Sequence, residues 1–300
     1  MSNSLSVSTI IPTFNGRKLL ETHLPTILRS LRDGDELIII DDASQDESGN
    51  WLRYGFSLTQ QKNPNLTDKH GGFELYQGFT NLKNKKITIS LLVNDKNLRF
   101  AASVNRAVRF ATKPLIFLLN SDVSLTPDTV KCLVTAYQTN AQPIFAIGCL
   151  EYEGSDTDDL ATLPTAGKNK LWFERGYFMH SKLATDASGE TAWASGGSAL
   201  FNRERWLNLG GFDEHFAPAY WEDIDLSYRA RLRNWQVLFE KSAVVFHQHE
   251  STHQNVFSRL DIQNISWQHA AYFVQKHGNF WQKLAHILWQ PYWILKKRQS

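Results

Sequence analysis

The chain has little cysteine: only Cys132 and Cys149 in 300 residues. That excludes a disulfide framework and a cysteine-based metal site, and it suits a reducing compartment. Charge of either sign is not in excess. Lys and Arg total 32, Asp and Glu 30, for a net +2, so nothing global points to nucleic acid. No run approaches the roughly 18 apolar residues of a membrane-spanning helix. Met1 to Ser8 is short and polar, without the basic start of a targeting segment. Neither Gly-rich phosphate-binding pattern occurs, so a bound nucleotide diphosphate would need a metal to neutralise it. What is present is a globular balance, 42% hydrophobic and 21% charged, and a rich aromatic set of 18 Phe, 10 Trp and 9 Tyr.

Short apolar runs punctuate the first 125 residues. Val7–Pro12 reads as a buried strand that stops at its proline. Glu36–Ile40, Ile87–Val93 and Leu115–Leu119 read as three more. Helical spacing lies between them, over 16–31 (interrupted by Pro25) and 101–111. Residues 55–86 are polar and without period, and read as a surface insertion. Continuous apolar strands alternating with helices predict a mostly parallel sheet covered on both faces. Three of the strands end in acid or amide clusters: Asp41-Asp42, Asn94-Asp95, and Asn120-Ser121-Asp122. Ligands of such sheets bind beyond the carboxyl ends of the strands.

Each cluster has a plain alternative. Asp122 after an apolar strand can hold Mg²⁺ or Mn²⁺, or can simply cap a turn. Asp41-Asp42 can accept from a nucleobase or ribose, or can cap a helix with Ser44. Glu222-Asp223 can supply a general base, or can be acids favoured by a helix dipole. His247 and His249, at the end of an apolar stretch from Gln236 to Phe246, are metal ligands or structural imidazoles. Residues 151–192 read as loop-rich.

Six segments, in order over residues 5–252, resemble glycosyltransferase family 2. Val7 to Asn15 is similar to its opening strand, and Ile39 to Ser44 to its aspartate pair. Asn97 to Asn105 is similar to its Asn-x-Gly-Phe segment, with Arg99 where glycine is usual. Leu118 to Val123 resembles the metal motif of its rhamnosyltransferase-like members, in which asparagine often replaces the first aspartate. Gly196 to Glu214 resembles the acceptor-side segment, and Trp221 to Arg229 the catalytic acid segment.

The resemblance implies a GT-A fold: a mixed, mostly parallel sheet flanked by helices. It implies inverting, metal-dependent transfer of a hexosyl or deoxyhexosyl group from a UDP- or dTDP-sugar to a saccharide or lipid-linked saccharide. Asp223 is then the base, with Glu222 the alternative. Pro12, Thr13, Asn15, Asp41, Asp42, Asn97, Asn120 and Asp122 line the donor site. Asp122 and His247 hold Mg²⁺ or Mn²⁺. The organisation expected is a glycosyltransferase domain over 1–255, with a nucleotide-sugar half (1–122) and an acceptor half (123–255), followed by a helical tail over 256–300. Two other readings stand beside it. One is a catalytically silent nucleotide- or saccharide-binding protein. The other is a sugar-nucleotide nucleotidyltransferase, disfavoured because Thr13-Phe14-Asn15 replaces a Gly-rich triphosphate loop.

The tail carries its own signal. From Ile262 to Ser300 there is no Asp or Glu, but there are five Lys or Arg and four tryptophans. Phe280, Leu284, Ile287 and Leu288 share one helical face. That face either lies in a membrane interface or docks on the catalytic domain. Pro291 is expected to split the helix into two short segments. The expected location is the cytoplasm, with the tail peripheral on the cytoplasmic membrane face.

Overall fold

The computed structural model describes residues 5–62, 67–82, 84–183, 187–248 and 258–297. The first half builds β1 (Val7–Thr13), α1 (Arg17–Ser30), β2 (Glu36–Asp41), α2 (Ser48–Gly55), the short β3 (Thr59–Gln60) and β4 (Thr67–Asp68), β5 (Gly71–Leu82), β6 (Lys85–Asn94), α3 (Arg99–Phe110) and β7 (Leu115–Leu119). The second half continues with β8 (Val123–Leu125), α4 (Thr129–Thr139), β9 (Ile144–Glu153), β10 (Thr165–Ala166), β11 (Asn169–Glu174), β12 (Tyr177–Lys182), β13 (Gly189–Glu190), β14 (Ser198–Asn202), α5 (Arg203–Asn208), a 3-10 turn at Glu214–Phe216, α6 (Glu222–Arg231), β15 (Gln236–His247), α7 (Arg259–His277) and α8 (Phe280–Lys297).

One mixed sheet runs β13-β15-β9-β14-β7-β1-β2-β6-β5-β3. Its centre, β7-β1-β2-β6, is parallel, and β14 enters antiparallel between β7 and β9. Period-two alternation sends Ile11, Leu37 and Ile39 to one face, under α1, α2 and α4. It sends Ile10, Ile38 and Ile40 to the other, under α3, α5 and α6. All six are fully buried, each contributing about 1.5–3 kcal/mol from apolar burial.

Several expectations are corrected. β1 does not stop at Pro12, which pairs in register with Ile40. The Thr13 carbonyl accepts from Asp42 N on the β2 side, so alternation points the missing N–H of Pro12 toward β7. There the ladder has already ended at Ile10–Leu118, and no bond is lost. The described residues of 55–86 form a sheet edge rather than an insertion: β5 and β6 make a long antiparallel hairpin. Arg106, buried on α3, fastens it through Asp68 at 2.6 Å and Asn94 Oδ1 at 2.6 Å, with Phe73 beneath its guanidinium. The loop-rich stretch 151–192 holds the hairpin β11–β12. Pro25 and Pro291 sit inside α1 and α8 on their exposed sides, where the carbonyls they leave free meet solvent. The tail divides instead at Gly278-Asn279, between α7 and α8. His249 lies outside the described residues.

A third apolar cluster joins the tail to the second half. Tyr177, Phe178, Trp193, Phe216 and Trp221 pack with Ala270, Phe273 and Val274 of α7 and Trp293 of α8. One face of the tail therefore docks on the sheet domain. Among the described residues, no helix is long and apolar enough to cross a membrane.

Candidate active site

The loops after β1 and β2 are stapled to each other. Asn15, at a left-handed φ of 51°, accepts from Gln45 N at 2.7 Å and donates its own N–H to Ser44 Oγ at 2.8 Å. Thr13 is the register partner of Asp41, and its buried Oγ1 has no hydrogen-bond partner. Gly16 is required by close approach, because a Cβ there would lie 2.5 Å from Thr13 Oγ1 and 3.6 Å from Ser121 Oγ. Thr13 and Asn120-Ser121-Asp122 thus share one edge. Asp41 accepts from Ser44 N at 2.8 Å. Burial pushes its carboxyl upward, partly offset by Ser44.

Asp42 stands differently from the nucleotide contact expected of it. Its Oδ1 accepts from Asn94 Nδ2, Leu98 N and Ser103 Oγ, and its Oδ2 from Arg99 N, all within 2.7–2.8 Å. Four donors occupy it, so it pins β2, β6 and the start of α3 together. Asn97 likewise accepts from Arg99 N at 3.1 Å and shapes the same turn.

At the end of β7, Asp122 is buried, and β15 brings His247 beside it. His247 Nε2 lies 3.1 Å from Asp122 Oδ1, and Nδ1 lies 3.0 Å from Glu151 Oε1. Glu151 also accepts from Ser198 Oγ at 3.1 Å. Burial alone would lower the His247 imidazole. Hydrogen bonds and charge from Asp122 and Glu151 outweigh it and push the ring up to about 10. Two carboxylates therefore converge on one positive charge, here a proton, and a divalent ion binding at the ring nitrogen would displace it. Among the described residues, no three His, Cys, Asp or Glu side chains make a closed metal cage. An open pair of one carboxylate and one imidazole suits a cation shared with phosphate oxygens, and the nitrogen suits Mn²⁺ better than Mg²⁺.

Glu222 and Asp223 open α6. Before them, Tyr220 and Trp221 both take left-handed φ, 77° and 78°, a strained pair for bulky residues. The tail holds that pair. His269 on α7 bonds the Tyr220 carbonyl at 3.0 Å, Trp221 Nε1 donates to Ser266 Oγ at 3.3 Å, and Phe273 packs on the Trp221 ring. Asp223 accepts from Gly196 N at 3.2 Å and Ile224 N at 2.8 Å. Burial raises its carboxyl, and those two N–H groups bring it part of the way back. Glu222 has no such donors at its buried Oε2. Burial and the neighbouring Asp223 charge hold it well above the carboxylate range. Two adjacent buried carboxyls resist ionising together, and the two backbone donors favour the charge on Asp223.

The turn 196–198 is the hub. Gly196 N reaches Asp223, the Gly197 carbonyl accepts from Asn120 N at 2.9 Å, and Ser198 reaches Glu151. A Cβ on Gly197 would lie 2.7 Å from Asn120 Nδ2, so only glycine lets the two loops touch. Asn120, Asp122, His247 and Asp223 are thereby gathered round one turn, while Asp42, Asn97 and Asn15 serve the scaffold beneath. Glu151 was not anticipated. Its signal was the same as that of Asp122: an apolar run, Ile144–Leu150, ending in an acid.

Sequence and structure comparisons follow this geometry. Residues 82–270 match the model of the family described as glycosyltransferase like family 2. O-antigen chain rhamnosyltransferase RfbN of Salmonella typhimurium is 25% identical over 260 residues, covering 85% of this chain and 70% of RfbN. N-acetylglucosaminyl-diphospho-decaprenol L-rhamnosyltransferase of Mycobacterium tuberculosis is 24% identical over 217 residues, covering 65% and 69%. Among solved structures, mannosyltransferase PcManGT of Pyrobaculum calidifontis, in complex with GDP-Man and Mn²⁺, superposes with a TM-score of 0.54 at 17% identity, over 96% of this chain and 74% of that one. GalNAc-T7, solved with UDP, GalNAc and Mn²⁺, gives 0.56 at 14% identity over 82% of this chain, which spans only 44% of its length. These likenesses show a GT-A fold. With the family match over well more than half its length, the chain belongs to glycosyltransferase-like family 2.

Proposed function

We propose that this glycosyltransferase moves a deoxyhexosyl group, rhamnosyl by analogy with its two named relatives, from a UDP- or dTDP-sugar to a saccharide carried on a lipid, with inversion at the anomeric carbon. The observation that carries the reading is the turn 196–198, which holds the base candidate Asp223 against the loop bearing Asn120 and Asp122. Donor and acceptor chemistry then meet across one turn.

Asp223 accepts the proton of the acceptor hydroxyl. The freed oxygen pair forms the new bond to the anomeric carbon from the face opposite the leaving group, while the old carbon–oxygen pair departs on the nucleoside diphosphate. Glu222 stays protonated beside it and keeps the negative charge on Asp223. Asp41, rather than the fully occupied Asp42, faces the nucleoside, with Thr13 on the same edge and Pro12 shaping the strand end. Asp122 and His247 would hold Mn²⁺ or Mg²⁺, which when bound supplies positive charge against the leaving diphosphate. Glu151 fixes the ring of His247, as outer carboxylates commonly do for liganding imidazoles.

Nucleotide-sugar turnover and donor binding test this together. Asp223→Asn is nearly isosteric and should cut turnover by roughly 10²–10⁴ with donor affinity within a few-fold. Asp122→Ala should abolish divalent-dependent donor binding. Full turnover in chelator removes the metal role, and loss in Glu222→Gln but not Asp223→Asn swaps the carboxylates. Donor binding without turnover of any sugar returns the chain to the silent binding reading.

A further inference from the structure

The docked face of α8 is narrow. His286 and Trp293 are buried, through His286 to the Gly176 carbonyl at 2.9 Å and Trp293 Nε1 to the Arg175 carbonyl at 2.7 Å. Among the described residues, the opposite face is exposed. Phe280 is 72% exposed, Trp281 73%, Leu288 69%, and Ile287, Ile294 and Leu295 are also exposed. Of the sixteen exposed large hydrophobics among the described residues, eight lie on this helix. They follow the spacing i, i+1, i+4, i+7, i+8, i+14 and i+15 from Phe280, with Pro291 at i+11. At 3.6 residues per turn this is a continuous arc of about 140°. Trp289 borders it. Scattered surface apolar residues are ordinary, but a contiguous stripe of this size marks an interaction surface.

Charge selects the occupant. Lys283 and Lys296 flank the arc on its two sides, the Lys296 ammonium lying 5.4 Å from the centre of the Trp293 ring. Arg175 extends the basic rim, stacked against Tyr292 and near Trp289. Glu174, beside Arg175, is already paired with it and with Trp172 Nε1. No Asp or Glu follows Asp261 in the sequence. A protein partner would leave an apolar stripe and cations to match with a shaped groove and acids. An anionic bilayer surface supplies both at once, acyl chains for the stripe and headgroups for the lysines, with tryptophan at the boundary.

We propose that the outward face of α8 seats the protein in the plane of an anionic membrane. The helix lies in the headgroup boundary and does not cross it. Its inner face stays docked, so the seat is rigidly joined to the sheet domain. This deepens the lipid-linked acceptor reading but stands on its own observations.

Flotation with vesicles of phosphatidylcholine plus phosphatidylglycerol, and of phosphatidylcholine alone, tests it on the full chain. Wild type should float with the anionic vesicles, less so at high salt. Trp281→Glu/Leu288→Glu, both at exposed positions, should reduce binding more than about tenfold with an unchanged melting curve. Lys283→Gln and Lys296→Gln should each cost about fivefold on anionic vesicles. No flotation, or equal flotation of the double variant, overturns the proposal. So does a wild-type dimer in solution that the double variant converts to monomer without loss of flotation. Turnover of a water-soluble acceptor analogue separates this from the catalytic reading. Intact turnover without flotation sinks the membrane seat alone, and flotation without turnover sinks the catalytic assignment alone.

Discussion

The proposed donor edge and the proposed acceptor edge of this molecule are held by different means. On the donor side, each loop is fixed by its neighbour in the sheet: Asn15 by Ser44 and Gln45, Arg17 N by Asp46, Asp42 by the β6–α3 turn. The bonds are short, mainly between backbone and small polar side chains, and follow from strand order. On the acceptor side, Asp223 sits next to two strained residues held by a helix 45 or more positions away in sequence. The first turn of α6 is also held by an ionic cluster. Asp225, fully buried, accepts from Arg229 Nε, Lys276 Nζ and His277 Nε2, each at 2.7 Å. The donor edge is thus a product of topology, and the acceptor edge a product of the tail. Substitutions in α7 should reach catalysis while leaving donor affinity alone.

The sharpest way to break that division is Asp225→Ala. It leaves Arg229, Lys276 and His277 gathered round a missing anion, and removing one partner of a buried ion cluster costs about 3–5 kcal/mol. We expect that loss in denaturant unfolding, together with a lower kcat and a donor Kd changed little. The pH dependence has a definite sign. Burial pushes the Asp225 carboxyl up, but His277, Arg229 and Lys276 outweigh it and hold it below its ordinary value. Its stabilisation is therefore present above the unfolded value of about 3.9 and is lost as pH falls through the depressed folded value. The gap between wild type and variant should close in acid. A variant that keeps kcat but loses donor affinity would put the tail's influence on the wrong edge.

The same contrast governs what could be read from the sequence. Ile38-Ile39-Ile40-Asp41 and Leu115–Asn120 announce buried strands and their ligand-facing ends without any structure, because strand period and topology act locally. β9 was not assigned from the sequence although Ile144–Leu150 is as apolar, since Gly148 interrupts the run. The third cluster was illegible for a different reason. Its rings come from β12, the 193 turn, the 3-10 turn, the start of α6, α7 and α8, and no local period says which ring meets which. Of the tail's two alternatives, the docked face is present in α7 and on the inner side of α8, and the outer side of α8 is exposed. For Asp42 the sequence shows an acid at the right strand end, but only the fold shows its lone pairs already taken.

A smaller effect sharpens the comparison from the donor side. Asp68→Ala removes the partner of Arg106, which is buried but keeps Asn94 and the Gly71 and Gly72 carbonyls. With those bonds left, the cost should be about 1–3 kcal/mol. The Arg106 hydrogen bonds and charge hold the Asp68 carboxyl far below its usual value, so this contribution too is present above about pH 4 and fades below it. Because the hairpin β5–β6 is an edge remote from the hub, turnover per folded molecule should not change. A fall in kcat as large as that of Asp225→Ala would show that the donor half is not locally fixed after all.

Arg99 tests the smallest term and the most specific one. Its backbone is left-handed, φ 69°, and its side chain is exposed at the turn that Asp42 pins. Glycine, usual at this place in the family, adopts that conformation without the clash between Cβ and the following carbonyl, worth roughly 1–2 kcal/mol. Glycine also loses more freedom on folding, about 0.5–1 kcal/mol. Arg99→Gly should therefore stabilise by no more than about 1 kcal/mol, read as a higher denaturation midpoint at unchanged slope. If stability rises and donor KM is unchanged, the arginine is a tolerated departure on a loop whose geometry Asp42 and Asn97 enforce. If stability rises and donor KM rises with it, the strain is kept for a contact between the guanidinium and the anionic donor, since a cation at the mouth of the site is what that substitution removes. If stability falls, the left-handed turn is not the source of strain, and the account of Asp42 as the pin of this loop is wrong.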